Sequence, residues 1–282
     1  MLNSSANNYQ YFFLGGIMGE ILELPIVGNY LKENERILRE MGIQDIHCLT
    51  LNSINSAHRN AKKLVDILKR EFEHREKKII IFSHSKGCLE VLLALQREYD
   101  FFDKAVERII CVQPPFQGSE VLNTSIFKPL LRAWPGLNSL RKNFYTDLFQ
   151  EELVEREDRH KFLKEKVLVV RTFKPRSRDV SWVIRPIHFI FKRTGSKSDG
   201  LLKLSEQVLP FAEYTDMILE MDHSDLFTSH RLSNLDDDFR KNLMVNLINM
   251  SIERNEKVED SEFSFEDVIP TWFNNPEIFN VL

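Results

Sequence analysis

Cysteine is scarce in this chain. Cys48, Cys88 and Cys111 form an odd set at unrelated spacings, each in or beside an apolar segment. That excludes a disulfide framework and a cysteine-based metal centre and reads as free thiols buried in a core. No metal or other cofactor is expected. A strong charge of one sign is also lacking: the formal net charge is -4, which argues against non-specific nucleic-acid binding. No apolar run reaches membrane-spanning length free of charges, and the run that starts at Tyr11 is too short and too rich in glycine. Residues 1–10 have neither the basic start nor the apolar stretch of a secretory leader, so a cytoplasmic protein is expected. Internal repeats are absent. What is present is a composition of 43% hydrophobic and 28% charged residues over 282 positions, that of a soluble globular protein. The length suits one large α/β domain carrying an insertion, spanning 1–282, better than two equal domains.

Short apolar runs alternate with amphipathic ones. Tyr11 to Leu14, Ile43 to Leu49, Lys78 to Phe82, Arg108 to Val112, Lys166 to Thr172 and Met217 to Met221 read as strands. Ile79, Ile80 and Ile81 in succession give the pattern of a strand buried on both faces, as in parallel sheets. Between them, Asn29 to Met41 has apolar positions at helical spacing. Ala57 to Arg75 places Ala61, Leu64, Val65, Leu68 and Phe72 on one face of a helix, and Cys88 to Glu98 is an apolar helix. The alternation implies an α/β fold with a mostly parallel central sheet flanked by helices. Two stretches break the rhythm, Ser119 to about Phe162 and Phe173 to Thr194; both are aromatic, of mixed charge, and read as excursions from the sheet. A helix near Asp237 to Arg254 is followed by an acidic stretch from Glu256 to Asp267 and an aromatic tail at 269–273.

The chemistry gathers at strand ends. The buried strand of Ile79–Phe82 runs into Ser83-His84-Ser85-Lys86-Gly87, with an apolar helix directly after it, the context of a nucleophile elbow. That turn strains its middle residue and demands small neighbours two before and two after, here Ser83 and Gly87. It would lift Ser85 to a helix N-terminus, where the dipole favours negative charge. A plainer reading makes Ser85 a helix cap. An oxyanion hole needs two convergent backbone N–H groups. Lys86 would supply one, and Gly15-Gly16-Ile17-Met18-Gly19 after the first strand would supply the other from Ile17. A serine nucleophile then calls for an acid and a histidine downstream. Asp199 lies on a loop past the Lys166–Thr172 strand, and His223 directly follows the last strand. Asp216, Asp222 and Asp225 are rival acids, ranked lower because near neighbours of a histidine rarely reach its Nδ1. His84 is expected to pack beneath the elbow rather than act as base.

In this order, the glycine loop, Ser83–Gly87, Gln117-Gly118-Ser119, Ser198-Asp199-Gly200-Leu201 and Asp222-His223-Ser224-Asp225-Leu226 resemble bacterial triacylglycerol lipases and related α/β-hydrolase esterases, from about Tyr11 to Leu226. The resemblance implies the α/β-hydrolase fold with a helical cap insertion, at about 119–165 and 174–195; the residue pattern adds a C-terminal helix plus tail at about 237–282. It implies Ser85 as nucleophile, Asp199 as acid, His223 as base, and Ile17 and Lys86 as oxyanion donors. The activity implied is cleavage of carboxylic esters, of lipids above all, through an acyl-enzyme. The alternatives are an acyltransferase or thioesterase with the same three residues, or a catalytically silent hydrolase fold used for binding. Gly15 stands where the family has a histidine, and Ser83 where it commonly has glycine. Phe127, Leu130, Leu131, Trp134, Leu137, Trp182, Phe189 and Phe191 would suit an acyl chain, or else simply pack the cap onto the sheet. The aromatic and basic run from Trp182 to Arg193 suits peripheral contact with an anionic membrane surface.

Overall fold

The computed structural model describes residues 2–17, 30–123, 156–209, 212–228, 233 and 235–256. Met18 and Gly19, the apolar positions Phe127, Leu130, Leu131, Trp134 and Leu137, and the acidic and aromatic tail beyond 256 lie outside them.

Six strands form one sheet: β1 (Tyr9–Leu14), β2 (Ile46–Leu49), β3 (Lys78–His84), β4 (Val106–Val112), β5 (Val167–Thr172) and β6 (Thr215–Leu219), in the spatial order β2-β1-β3-β4-β5-β6. Every neighbouring pair is parallel. The helices among the described residues are α1 (Lys32–Glu40), α2 (Ala57–Arg75), α3 (Lys86–Arg97), α4 (Tyr99–Ala105), α5 (Glu157–Lys166), α6 (Arg185–Arg193) and α7 (Asp237–Glu256).

Because strand side chains alternate between faces, each apolar run feeds two cores. Phe12, Leu14, Ile79, Ile81, Ile109, Cys111, Val167 and Val169 join Leu64 and Leu68 of α2, Leu89 and Leu92 of α3, and Phe162 and Leu163 of α5 on one face. Tyr11, Phe13, Ile80, Phe82, Ile110, Val112, Leu168 and Val170 meet Leu38 of α1 and Leu243, Met244, Leu247 and Ile248 of α7 on the other. The three isoleucines of β3 have no exposed surface, and burying each contributes about 1.5–3 kcal/mol. That central strand is the fixed platform from which Ser85 departs. Cys88 and Cys111 are buried and free, while Cys48 is half-buried.

The element boundaries depart from the sequence expectation where chain ends or turns intervene. Ile43 is not in β2. Gly42 takes φ +90, its N–H bonds to Arg39 O, and the Ile43 N–H bonds to Leu38 O, closing α1 with a Schellman turn. Ile43 is the apolar residue that such a turn buries. Helix α3 starts at Lys86, directly after Ser85, rather than at Cys88.

The order reverses at β1 and β3, whose outgoing loops lie side by side. In open parallel sheets a crevice forms at this point beyond the carboxyl ends of the strands. The glycine loop after β1 and the elbow after β3 flank it.

Candidate active site

Ser85 sits between β3 and α3 at φ 52 and ψ -122, in a region that side chains other than glycine's rarely occupy. Its N–H bonds to Val112 O and extends the β3–β4 ladder by one step. Its side chain makes no capping bond to α3; instead Ser85 Oγ lies 3.1 Å from His223 Nε2. The plainer capping role is therefore not the one seen. The elbow needs its small residues for visible reasons. A Cβ on Gly87 would meet the carbonyl oxygens of Gly15 at 2.8 Å and Leu14 at 3.0 Å, so α3 approaches β1 as closely as backbone allows. Ser83 Oγ is buried and donates to Ile110 O at 3.2 Å.

His223 arrives from the turn after β6. Its Nδ1 lies 2.8 Å from Asp199 Oδ2, and its N–H bonds to Asp199 O at 2.9 Å. The carboxylate can only accept, so Nδ1 carries the proton and Nε2 faces the serine hydroxyl. Asp199 is wholly buried. Its Oδ1 accepts the N–H groups of Leu201 at 2.9 Å and Leu202 at 2.8 Å, which pins the loop, and Thr172 Oγ1 donates to Oδ2 at 3.4 Å. The rival carboxylates are engaged elsewhere. Asp222 accepts from Ser181 N, Ser224 N and Ser224 Oγ, and burial, then Asp225, push its pKa up to about 6. Asp225 accepts from Asp222 N and Ser233 Oγ, and Asp216 pairs with Arg171. An alcohol facing an imidazole that a buried carboxylate orients is the arrangement for nucleophilic attack.

Gly16 presses against the elbow: a Cβ there would lie 2.9 Å from Ser85 Cβ and 3.1 Å from His84 O. Ile17, the next residue, is half-buried at the edge of one core. Position 15 has no room for a histidine, because a Cβ would already come within 2.7 Å of the Tyr30 ring. Tyr30 fills that space and its hydroxyl accepts the Gly16 N–H at 2.7 Å. The departure at Gly15 thus has a structural counterpart in Tyr30.

His84 packs beneath the elbow, fully hydrogen-bonded, with burial and the neighbouring His223 holding its pKa well below the ordinary value. Tyr30, Gln113 and Thr172 were not singled out by pattern or spacing. The available signal for Gln113 was its place, a polar residue immediately beyond a buried strand. Equally unannounced is a charge pair under the elbow: Lys86 Nζ and Glu90 Oε1 lie 2.8 Å apart with both side chains 2% exposed. Lys86 also donates to Asn55 O, and Asn60 Nδ2 donates to Glu90 Oε1 and Asn52 O. The lysine ammonium is therefore a strut for the residue whose N–H opens α3, not a group of the crevice.

No family model and no curated protein matches the chain. Solved structures do. The mature form of the Bacillus licheniformis lipase BlEst2 superposes with a TM-score of 0.62 at 18% identity, covering 85% of this chain and 91% of that one. The metagenomic carboxyl esterase MGS0156 gives 0.61 at 17% identity over 92% of this chain and 78% of that one. The phospholipase PlaB from Legionella pneumophila, solved with thio-NAD, gives 0.54 at 13% identity over 91% and 65%. The chain has the α/β-hydrolase fold. Within it, the strained turn between β3 and α3 falls at Ser85, and Asp199 and His223 lie beyond β5 and β6.

Proposed function

We propose that this α/β-hydrolase is a serine hydrolase that cleaves carboxylic esters through an acyl-enzyme on Ser85. The observation that carries the reading is the contact chain Ser85 Oγ to His223 Nε2 at 3.1 Å and His223 Nδ1 to Asp199 Oδ2 at 2.8 Å. The strained backbone that frees Ser85 Oγ from helix capping supports it, and so does the likeness of the fold to a lipase, a carboxyl esterase and a phospholipase. His223 Nε2 takes the serine proton as Oγ attacks the carbonyl carbon, and Asp199 stabilises the imidazolium that forms. The oxyanion is received by the N–H groups of Ile17 and Lys86. His223 returns the proton to the leaving alcohol, then deprotonates the water that releases the acid and restores Ser85. A fluorophosphonate probe tests this: wild type is expected to label, and Ser85→Ala not to.

The finer reading is that the ester is a lipid taken from an anionic surface. Trp182 is 70% exposed and Val183 51%, with Phe189 and Ile190 also open, whereas Ile184, His188 and Phe191 turn inward. Arg185, Lys192 and Arg193 surround them, Arg176 and Arg178 precede them, and Asp179 is the single acid between Lys174 and Lys197 in a chain of net charge -4. Exposed aromatics within a local excess of cations complement anionic headgroups. The turn is bolted to the site: Ser181 N–H donates to Asp222 Oδ2 at 2.6 Å, and Ile184 packs on Gly200, beside Asp199. No helix among the described residues is long and apolar enough to cross a membrane, so the contact would be peripheral. In vesicle co-sedimentation, phosphatidylcholine doped with phosphatidylserine is expected to retain wild type about tenfold more than Trp182→Ala/Phe189→Ala. Short-chain ester turnover in solution should be unchanged. Equal sedimentation of both proteins would contradict the lipid-surface reading.

A further inference from the structure

The hydrogen bonds around His84 admit one set of directions. Gln113 places one amide atom 2.7 Å from Asp222 O and 2.7 Å from Thr172 Oγ1. A carbonyl oxygen only accepts, so that atom is Nε2, and Gln113 Oε1 faces His84. His84 Nε2 lies 3.0 Å from Gln113 Oε1 and 3.1 Å from His223 O, both acceptors, so it must carry the ring proton. Burial, then the neighbouring His223, hold the ring neutral, so His84 Nδ1 is bare and accepts the Tyr30 hydroxyl at 2.5 Å, while the Tyr30 oxygen accepts the Gly16 N–H. At the other end, Thr172 Oγ1 receives the Gln113 donor, which leaves its proton for Asp199 Oδ2. The Thr172 backbone is itself clamped, its N–H donating to Gln207 Oε1 at 2.8 Å and its carbonyl accepting Gln207 Nε2 at 2.9 Å.

We propose that Tyr30, His84, Gln113 and Thr172 act as one positioning unit, fixing the Gly15–Gly16 peptide, directly before Ile17, and the Asp199 carboxylate together relative to Ser85. The proposal rests on the reading of Ser85 as nucleophile for its kinetic consequences, but the bond directions stand without it. Tyr30 and Thr172 make no direct bond to each other; His84 and Gln113 join them, and His84 also reaches Thr172 through the His223 carbonyl and the His223–Asp199 contact. Among the described residues, the ionisable groups in contact with His84 are Tyr30 and His223. A neutral His84 spares the His223 ring, 4.9 Å away between centroids, a like charge when it takes the serine proton.

A double-mutant cycle reads the coupling. Tyr30→Phe and Thr172→Val are each expected to lower kcat about tenfold with KM changed less than about twofold, and the double variant to fall about tenfold rather than a hundredfold. Rates are taken per active site counted by fluorophosphonate, so that loss of folded protein does not register as loss of kcat. Thr172→Ser, which keeps the hydroxyl, should retain the wild-type rate. Additive losses, or a fall in Thr172→Ser equal to that in Thr172→Val, would overturn the unit. Nitrogen-15 NMR of the full chain gives a readout independent of turnover. His84 is expected to be a neutral Nε2–H ring at neutral pH, and a protonated or Nδ1–H ring there overturns the proposal even if the protein proves inactive on esters.

Discussion

Alanine at His223 is expected to lower kcat for a soluble ester by about 10⁶-fold, Ser85→Ala by about the same, and the double variant no further. The reason is geometric. Ser85 Oγ lies 3.1 Å from His223 Nε2, the base of the proposed reaction, and its side chain makes no capping bond to its helix. Without the imidazole, the hydroxyl at neutral pH is a poor nucleophile; without the hydroxyl, the imidazole has nothing to activate. Asp199→Asn should cost about 10⁴, because an amide at Oδ2 would drive the His223 proton to the wrong nitrogen. A residual rate above that of water is expected in all of them, since the N–H groups of Ile17 and Lys86 do not depend on these side chains. Steady-state kinetics on the purified variants checks each value. Losses that multiply in the double variant would show that the two residues do not serve one step.

Replacing Glu90 by leucine is expected to lower folding stability by about 3–5 kcal/mol, measured by urea unfolding. The substitution leaves the Lys86 ammonium at 2% exposure without the carboxylate that lies 2.8 Å from it. The bond to Asn55 O remains but carries no compensating charge. Adding Lys86→Met should recover most of the loss, because a buried pair replaced as a whole by apolar side chains is close to neutral. If Glu90→Leu unfolds at the wild-type urea concentration, the pair carries no structural burden. The consequence for activity follows from position: Lys86 opens α3, and a shift of its backbone moves the N–H proposed to meet the oxyanion.

The fold was legible because its signals are local. A run such as Ile79–Ile81, apolar at consecutive positions, has no stable place except a strand covered on both faces, and Ala61, Leu64, Val65 and Leu68 mark one helical stripe. The meeting of Ser85, Asp199 and His223 was legible because Ser85 and His223 stand just beyond strands, Asp199 lies on the loop region that follows β5, and parallel strands bring all their carboxyl ends to one edge. Ile43 was assigned to a strand because an apolar residue before β2 looks the same whether it extends the sheet or closes the preceding turn; only the bond to Leu38 O decides. Tyr30, Gln113 and Thr172 were invisible for a different reason. Their role lies in directions of donation between residues separated by up to 109 positions, as in Gln113 Nε2 to Asp222 O. Composition and spacing carry no such directions. The Lys86–Glu90 pair was hidden too, since a lysine and a glutamate four apart on a helix usually mark a solvated face.

The measurement that bears most directly on the chemistry is mass spectrometry of the folded protein after reaction with a fluorophosphonate. One adduct is expected, on the peptide that contains Ser85, absent from Ser85→Ala and slowed severely in His223→Ala. No adduct on folded wild type, or an adduct on a serine other than Ser85, would contradict the assignment of the nucleophile and with it the proposed hydrolysis.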